Sequence, residues 1–129
     1  MVAAGDDAIA LSGLKILLVE DNFLVAHMLK SVLSEMGCEV IGPAPTLEQG
    51  LRLAHDEELA GAILDINIIG GTSVPIAETL QRRRTPFFFI SGYASPQMLP
   101  RELGHVRKLN KPIDETSLES AMNLEFVSD

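Results

Sequence analysis

Short, almost uninterrupted apolar runs recur along the chain and alternate with longer amphipathic stretches. These runs cover residues 15–19, 38–42, 61–64 and 87–90, and residues 106–109, which include two charged side chains, are a weak fifth strand candidate. Runs of this length without polar alternation are typical of strands that are buried on both faces. The alternation with helical segments therefore predicts an α/β fold, in which a parallel sheet carries helices on both of its faces.

The segments between the runs combine helical apolar spacing with helix-end signals. We predict helices over residues 22–36, 46–55 and 73–83, and a last helix that begins at Asp114. The segment 95–103 contains Pro96 and Pro100 and predicts at most a short helix.

The 129 residues are enough for one domain. Residues 1–13 are rich in Ala, Asp and Gly and show no sustained periodicity, so we predict a flexible N-terminal tail there and a folded domain over residues 14–127. The basic cluster Arg82, Arg83 and Arg84 ends the predicted third helix, and we interpret it as a solvated group of cations at the negative pole of that helix.

Charge and hydropathy argue against two classes of partner. The chain has 18 acidic and 10 basic residues, a formal net charge of -8, and such a surface repels nucleic-acid backbones. No apolar run approaches the roughly 20 residues that span a membrane. With one cysteine, Cys38, and no signal-peptide pattern, we expect a cytoplasmic protein whose thiol is a buried apolar group.

Polar residues with complementary chemistry follow four of the five predicted strands. Glu20 and Asp21 follow the first strand, Asp65 the third, Ser91 the fourth and Lys111 the fifth. In an open parallel sheet these carboxyl ends share one edge. Three adjacent carboxylates are best explained by a cation between them, and magnesium prefers oxygen ligands. One carboxylate can accept a phosphoryl group while the metal, the ammonium and the hydroxyl neutralise its charge, so the set predicts phosphoryl transfer to aspartate.

These positions, together with the motifs LLVEDN, LDINI, ISG and KP, resemble the receiver domain of bacterial response regulators over nearly the whole chain beyond the tail. The resemblance implies a flavodoxin-like (βα)5 doubly wound parallel sheet with strand order 2-1-3-4-5, here with a short or mobile fourth helix. It also implies a switch with at most slow self-dephosphorylation, not an enzyme. A sensor histidine kinase or a histidine phosphotransfer protein would phosphorylate it, and it would signal to an unidentified downstream protein.

The resemblance implies a role for each acidic position. Asp65 matches the phospho-acceptor. Glu20 and Asp21 match the acidic pair that holds magnesium, directly or through water. Asn67 matches the residue whose backbone carbonyl completes the metal shell.

The remaining matched positions include one departure from the family pattern. Ser91 matches the hydroxyl that contacts the phosphoryl group, Lys111 the lysine that pairs with the acceptor, and Pro112 a proline whose preceding bond is usually cis. The Tyr or Phe that usually acts as a switch is replaced by Lys108. Tyr93 resembles the aromatic residue of the FATGUY subfamily, and our hypothesis is that it carries the conformational readout instead.

Several alternatives remain open at this point. Asp21 can be a simple helix cap. A degenerate receiver would have this fold and bind a partner without phosphorylation. A phosphatase with an aspartate nucleophile typically has a second acid two residues later, where this chain has Asn67. A histidine phosphotransfer protein that uses His27 would be all-helical, which the strand-like runs contradict.

Overall fold

The structure is a computed structural model, and it describes residues 10–92 and 99–127. These residues form a five-stranded sheet, a small hairpin, four α-helices and one turn of 3-10 helix at Arg101–Leu103. The elements, in chain order, are β1 (Lys15–Val19), α1 (Phe23–Glu35), β2 (Glu39–Ala44), α2 (Leu47–Asp56), β3 (Gly61–Asp65), β4 (Asn67–Ile68), β5 (Gly71–Thr72), α3 (Val74–Arg82), β6 (Phe87–Ser91), β7 (Lys108–Asn110) and α4 (Glu115–Phe126).

The sheet is parallel throughout, and its spatial order is β2-β1-β3-β6-β7. Because β6 and β7 are its fourth and fifth strands along the chain, this is the predicted order 2-1-3-4-5, and the predicted fold class is confirmed. The sheet also contradicts the all-helical alternative that used His27. The pair β4 and β5 forms a separate antiparallel hairpin.

Two hydrophobic layers cover the sheet, one on each face. Ile16 and Leu18 pack with α1 and α4, whereas Leu17 and Val19 pack with α2 and α3. All four side chains are fully buried. Successive residues of a strand point to opposite faces, so a strand inside such a double layer must be apolar at every position. Burial on both faces therefore explains the uninterrupted apolar runs in the sequence.

The helix ends follow the capping signals. Thr46 Oγ1 accepts a hydrogen bond from the backbone N–H of Gln49 at 3.1 Å and so caps the start of α2. Asp114 caps α4 in the same way, through the N–H of Ser117. Gly37 ends α1 with a φ of 91°, a left-handed conformation that glycine adopts at little cost.

The packed region begins earlier than the predicted boundary at Leu14. Leu11 is fully buried in the layer of α1 and α4, and its carbonyl accepts a 3.5 Å contact from Cys38 Sγ. Cys38 is buried as expected, and burial raises the pKa of its thiol.

The region from β6 to β7 differs from the prediction in detail. The last strand is Lys108–Asn110, shifted from the expected 106–109, because Val106 instead donates its N–H to Leu103 in the 3-10 turn. Among the described residues between β6 and β7, the helical segment is this 3-10 turn. Residues 93–98, including Tyr93, lie outside the described residues.

The interpretation of the basic cluster as solvated is wrong for Arg83. Its guanidinium donates from Nη1 to the carbonyls of Ala54 at 2.6 Å and Glu57 at 2.7 Å, at the C-terminal end of α2. Helices α2 and α3 pack so closely that a cation at the end of one satisfies carbonyls at the end of the other.

Within residues 10–92 and 99–127, none of the helices has the length and apolar character needed to cross a bilayer.

Candidate functional site

Three carboxylates converge at the carboxyl edge of the sheet. Glu20 and Asp21 directly follow β1, and Asp65 is the last residue of β3. The two strands are neighbours in register, with Val19 opposite Leu64, so the residues that follow meet. One carboxylate oxygen from each acid lies within 4.8 Å of the other two. Glu20 and Asp65 are buried, and Asp21 is half-buried.

Lys111 supplies a cation to this cluster. Its Nζ donates to Asp65 Oδ2 at 2.9 Å and lies 2.8 Å from Glu20 Oε1. The loop after β7 is held in place by the backbone N–H of Lys111, which donates to the carbonyl of Ser91 at 2.9 Å. Burial acts to lower the pKa of the Lys111 ammonium, but the contacts with Glu20 and Asp65 outweigh it and hold that pKa above its usual value.

Glu20 is the most deeply placed acid of the cluster. Burial raises the pKa of its carboxyl, and the Lys111 ammonium and the backbone N–H of Asn22 partly offset that rise. Asn22 donates to Oε2 at 2.9 Å. The other oxygen, Oε1, is buried and pairs with the Lys111 ammonium, whose Nζ lies 2.8 Å away.

The donor set fits a hard divalent cation. Three carboxylates face one ammonium, which leaves an excess of negative charge at a site where two of the acids are buried. Oxygen ligands in a negative, partly buried setting are what magnesium or calcium requires. Asp21 is available for this role because Asn22 caps α1, accepting from the N–H of Val25 at 3.0 Å. The alternative that Asp21 is the helix cap is therefore wrong.

The other predicted site residues lie around this cluster. Ser91 is buried at the end of β6, one residue beyond Ile90, which pairs with Asp65. Asn67 is exposed at the start of β4, two residues after Asp65. The peptide bond before Pro112 is cis, as the resemblance implied.

Lys108 occupies the position of the usual aromatic switch and is exposed on the edge strand β7. Its Nζ donates to the carbonyls of Gly104 at 3.3 Å and Val106 at 3.0 Å. The side chain therefore closes the local turn and is not placed among the carboxylates. Tyr93, the candidate replacement, lies outside the described residues, and its role stays a prediction.

Two features of the site region were missed by sequence reasoning. Asn22 both caps α1 and donates its backbone N–H to Glu20, and the signal for the cap was present, since Asn is among the strongest N-cap residues. The hairpin of β4 and β5 was the second feature missed. Its Gly70-Gly71 pair is a turn signal, but strands of two residues are too short to show a period.

Comparison with known proteins decides the family. Residues 16–123 match the family model of the response regulator receiver domain. The chain belongs to the response regulator receiver domain family. The receiver domain is 31% identical over 93 residues to the phyllosphere-induced regulator PhyR of Methylorubrum extorquens. That alignment covers 70% of this chain and 35% of PhyR, so the receiver domain corresponds to about a third of its relative.

Solved structures of other receivers agree with the fold. The solution structure of SdrG from Sphingomonas melonis is 33% identical with a TM-score of 0.75, covering 88% of this receiver domain and 94% of SdrG. The receiver domain of the sensor histidine kinase PA1611 from Pseudomonas aeruginosa has a TM-score of 0.74 at 22% identity, with 91% and 100% covered. At that identity the second likeness shows the fold alone.

Proposed function

We propose that this receiver domain is a phospho-acceptor switch. Asp65 takes a phosphoryl group from a phosphohistidine on a sensor histidine kinase or a histidine phosphotransfer protein. The observation that carries the proposal is the position of the Lys111 ammonium, 2.9 Å from Asp65 Oδ2 and 2.8 Å from Glu20 Oε1 in a cluster of three carboxylates. Membership of the receiver family supports the same function.

The proposed transfer needs one nucleophile and two groups that bind the phosphoryl oxygens. A carboxylate oxygen of Asp65 attacks phosphorus, the P–N bond to the donor imidazole breaks, and the electron pair stays on the donor nitrogen, which then takes a proton. The product on Asp65 is an acyl phosphate. Lys111 and the hydroxyl of Ser91 neutralise the charge that the phosphoryl group brings to the edge of the sheet.

Magnesium fits this reaction and this donor set. Glu20, Asp21 and Asp65, directly or through water, together with the backbone carbonyl of Asn67, would hold it. When bound, the metal neutralises charge on the transferring phosphoryl group. The receiver domain of PA1611 carries a magnesium ion in its active-site cleft, which supports the same cofactor here.

The proposed output is a protein–protein interaction in the cytoplasm and not the turnover of a substrate. An exposed Asn67 stands where aspartate-nucleophile phosphatases typically have a second acid, which favours a long-lived acyl phosphate that water removes slowly. The alternative is a degenerate receiver that binds its partner independently of phosphorylation.

Labelling with a small phosphodonor tests the proposal. Acetyl phosphate and magnesium should add the mass of one phosphoryl group to the wild-type chain, reversibly, as measured by intact-protein mass spectrometry. The Asp65→Ala variant should stay unlabelled because it lacks the nucleophile.

The control is Asp56→Ala, which removes an exposed carboxylate at the C-terminal end of α2 that is not part of the cluster. It should be labelled like the wild type. A wild-type chain that stays unlabelled while folded would identify the degenerate receiver, and equal labelling of Asp65→Ala would place the acceptor elsewhere.

A further inference from the structure

The hairpin of β4 and β5 connects the acidic site to helix α2. It begins two residues after Asp65, and its pairs are Asn67 with Thr72 and Ile68 with Gly71. The turn residue Ile69 bridges to Thr46, and its carbonyl accepts a 2.9 Å hydrogen bond from the N–H of Leu47. The segment next to the predicted phospho-acceptor is thus bonded to the first turn of a helix more than 20 residues earlier in the chain.

The bond to Leu47 satisfies a group that the helix itself leaves unpaired. Leu47 is the first residue of α2, and the first four N–H groups of a helix have no partner within it. Thr46 Oγ1 satisfies the N–H of Gln49, and the carbonyl of Ile69 satisfies that of Leu47. A displacement of the hairpin therefore acts on an otherwise unpaired donor at the positive end of α2.

The other end of the hairpin is fixed beside the acidic site. The backbone N–H of Ser73 donates to the carbonyl of Ile66, the residue next to Asp65, at 2.8 Å. Gly70 and Gly71 have φ values of 99° and 140°, which other residues rarely adopt. The hairpin is therefore a defined connector with one end at the site and the other at α2.

We propose that this hairpin relays the state of Asp65 to α2: phosphorylation and metal binding shift residues 67–72 and change the hydrogen bond between Leu47 and Ile69. The inference rests on the proposed function, which places the Asn67 carbonyl at the base of the hairpin in the metal shell. The position of the usual aromatic switch holds Lys108 instead. Its side chain is exposed and donates to the carbonyls of its own turn.

Amide hydrogen exchange measured by NMR tests the relay on the intact chain. The exchange rate of the Leu47 amide is compared with and without magnesium and beryllofluoride, which mimics the phosphoryl group. We expect a change of roughly five- to tenfold, the size that the gain or loss of one hydrogen bond produces. Exchange at the C-terminal end of α2 should change less.

A proline substitution removes the connecting bond, and its loss of the leucine side chain is matched by an alanine control. Leu47→Pro lacks the N–H, yet proline is favoured at the first position of a helix. Thr46 already has the extended backbone (φ -123°, ψ 157°) that precedes proline readily. In this variant the amide of Gly50, bonded to the Thr46 carbonyl, should no longer respond to beryllofluoride. The control Leu47→Ala keeps the N–H and should keep the response.

The outcomes separate the two proposals. If beryllofluoride leaves the signals of Asp65 and Lys111 unchanged, both the proposed function and the relay are wrong. If these signals shift while the Leu47 amide exchanges at an unchanged rate, the relay alone is wrong. The relay alone is also wrong if the Gly50 amide responds equally to beryllofluoride in Leu47→Pro and Leu47→Ala. If Leu47→Pro fails to fold, the exchange rate of the wild-type Leu47 amide still decides whether the relay is right.

Discussion

Two partly buried cations, one at the carboxyl edge of the sheet and one where the C-terminal ends of α2 and α3 meet, have different partners. At the carboxyl edge, Lys111 has a side chain that is 20% exposed and contacts the carboxylates of Glu20 and Asp65. Away from that edge, Arg83 has a side chain that is 29% exposed and donates to the backbone carbonyls of Ala54 and Glu57. Burial is similar, so burial alone does not identify the functional cation.

The two cations differ in how much negative charge around each of them remains unneutralised. Arg83 binds the carbonyls at the end of a helix through two short hydrogen bonds, and its carboxylate partner, Glu58 at 3.5 Å, is solvent-exposed. Lys111 contacts two of the three clustered carboxylates and cannot neutralise all three, so this edge of the sheet could hold a further cation. An ammonium that is outnumbered by carboxylates therefore indicates a site for further chemistry. A guanidinium that binds the carbonyls at a helix end instead stabilises the fold.

The largest effect should come from Lys111→Met. The variant removes the ammonium that stabilises the incoming phosphoryl charge, and we expect the rate of labelling by acetyl phosphate to fall roughly 100-fold. The measurement is the time course of the mass shift. Arg83→Met serves as the control and should be labelled at the wild-type rate. An equal loss in the two variants would contradict the distinction between the two cations.

Arg83→Met should instead lower the free energy of unfolding. It leaves the carbonyls of Ala54 and Glu57 without their charged donor, which costs about 1–3 kcal/mol. Urea denaturation followed by circular dichroism measures the change. The exposed neighbour Arg84 provides the matched control, and Arg84→Met should stay within about 0.5 kcal/mol of the wild type. Equal destabilisation would show that Arg83 has no special structural role.

Most of the fold could be predicted from the sequence because buried parallel strands are apolar at every position. The same rule placed Glu20, Asp65 and Ser91 at strand ends, and the topology brings such ends to one edge. The rule fails for β7, an edge strand with exposed Lys108 and Asn110, which needs no continuous apolar run. The apolar residue Val106 therefore suggested a strand two residues too early.

Contacts between distant segments could not be predicted. Arg83 bonds to carbonyls 26 and 29 residues earlier in the chain, and nothing in a run of three arginines tells which one will do so. The bond between Leu47 and Ile69 likewise depends on where the hairpin lies in space. Within the site, Asp21 and Asn22 are both good caps by sequence, and only the geometry assigns the cap to Asn22.

The smallest effect concerns a carboxylate outside the cluster, Asp114. Burial raises the pKa of Glu20, whereas hydrogen bonds from the N–H and hydroxyl of Ser117, at 2.6 and 3.1 Å, lower the pKa of exposed Asp114 below its usual 3.8. Its stabilising contribution is complete above pH 3.8 and is lost as the pH falls through the lowered value.

The variant Asp114→Asn isolates that contribution, because asparagine also caps helices but does not titrate. Denaturation at a series of pH values on both sides of 3.8 should show the wild type more stable above that value, where the ionised cap also favours the positive end of α4. The advantage should shrink as the pH falls, since protonation removes the charge that Ser117 stabilises. A difference that stays constant over the whole range would mean that the titration of Asp114 is not linked to folding.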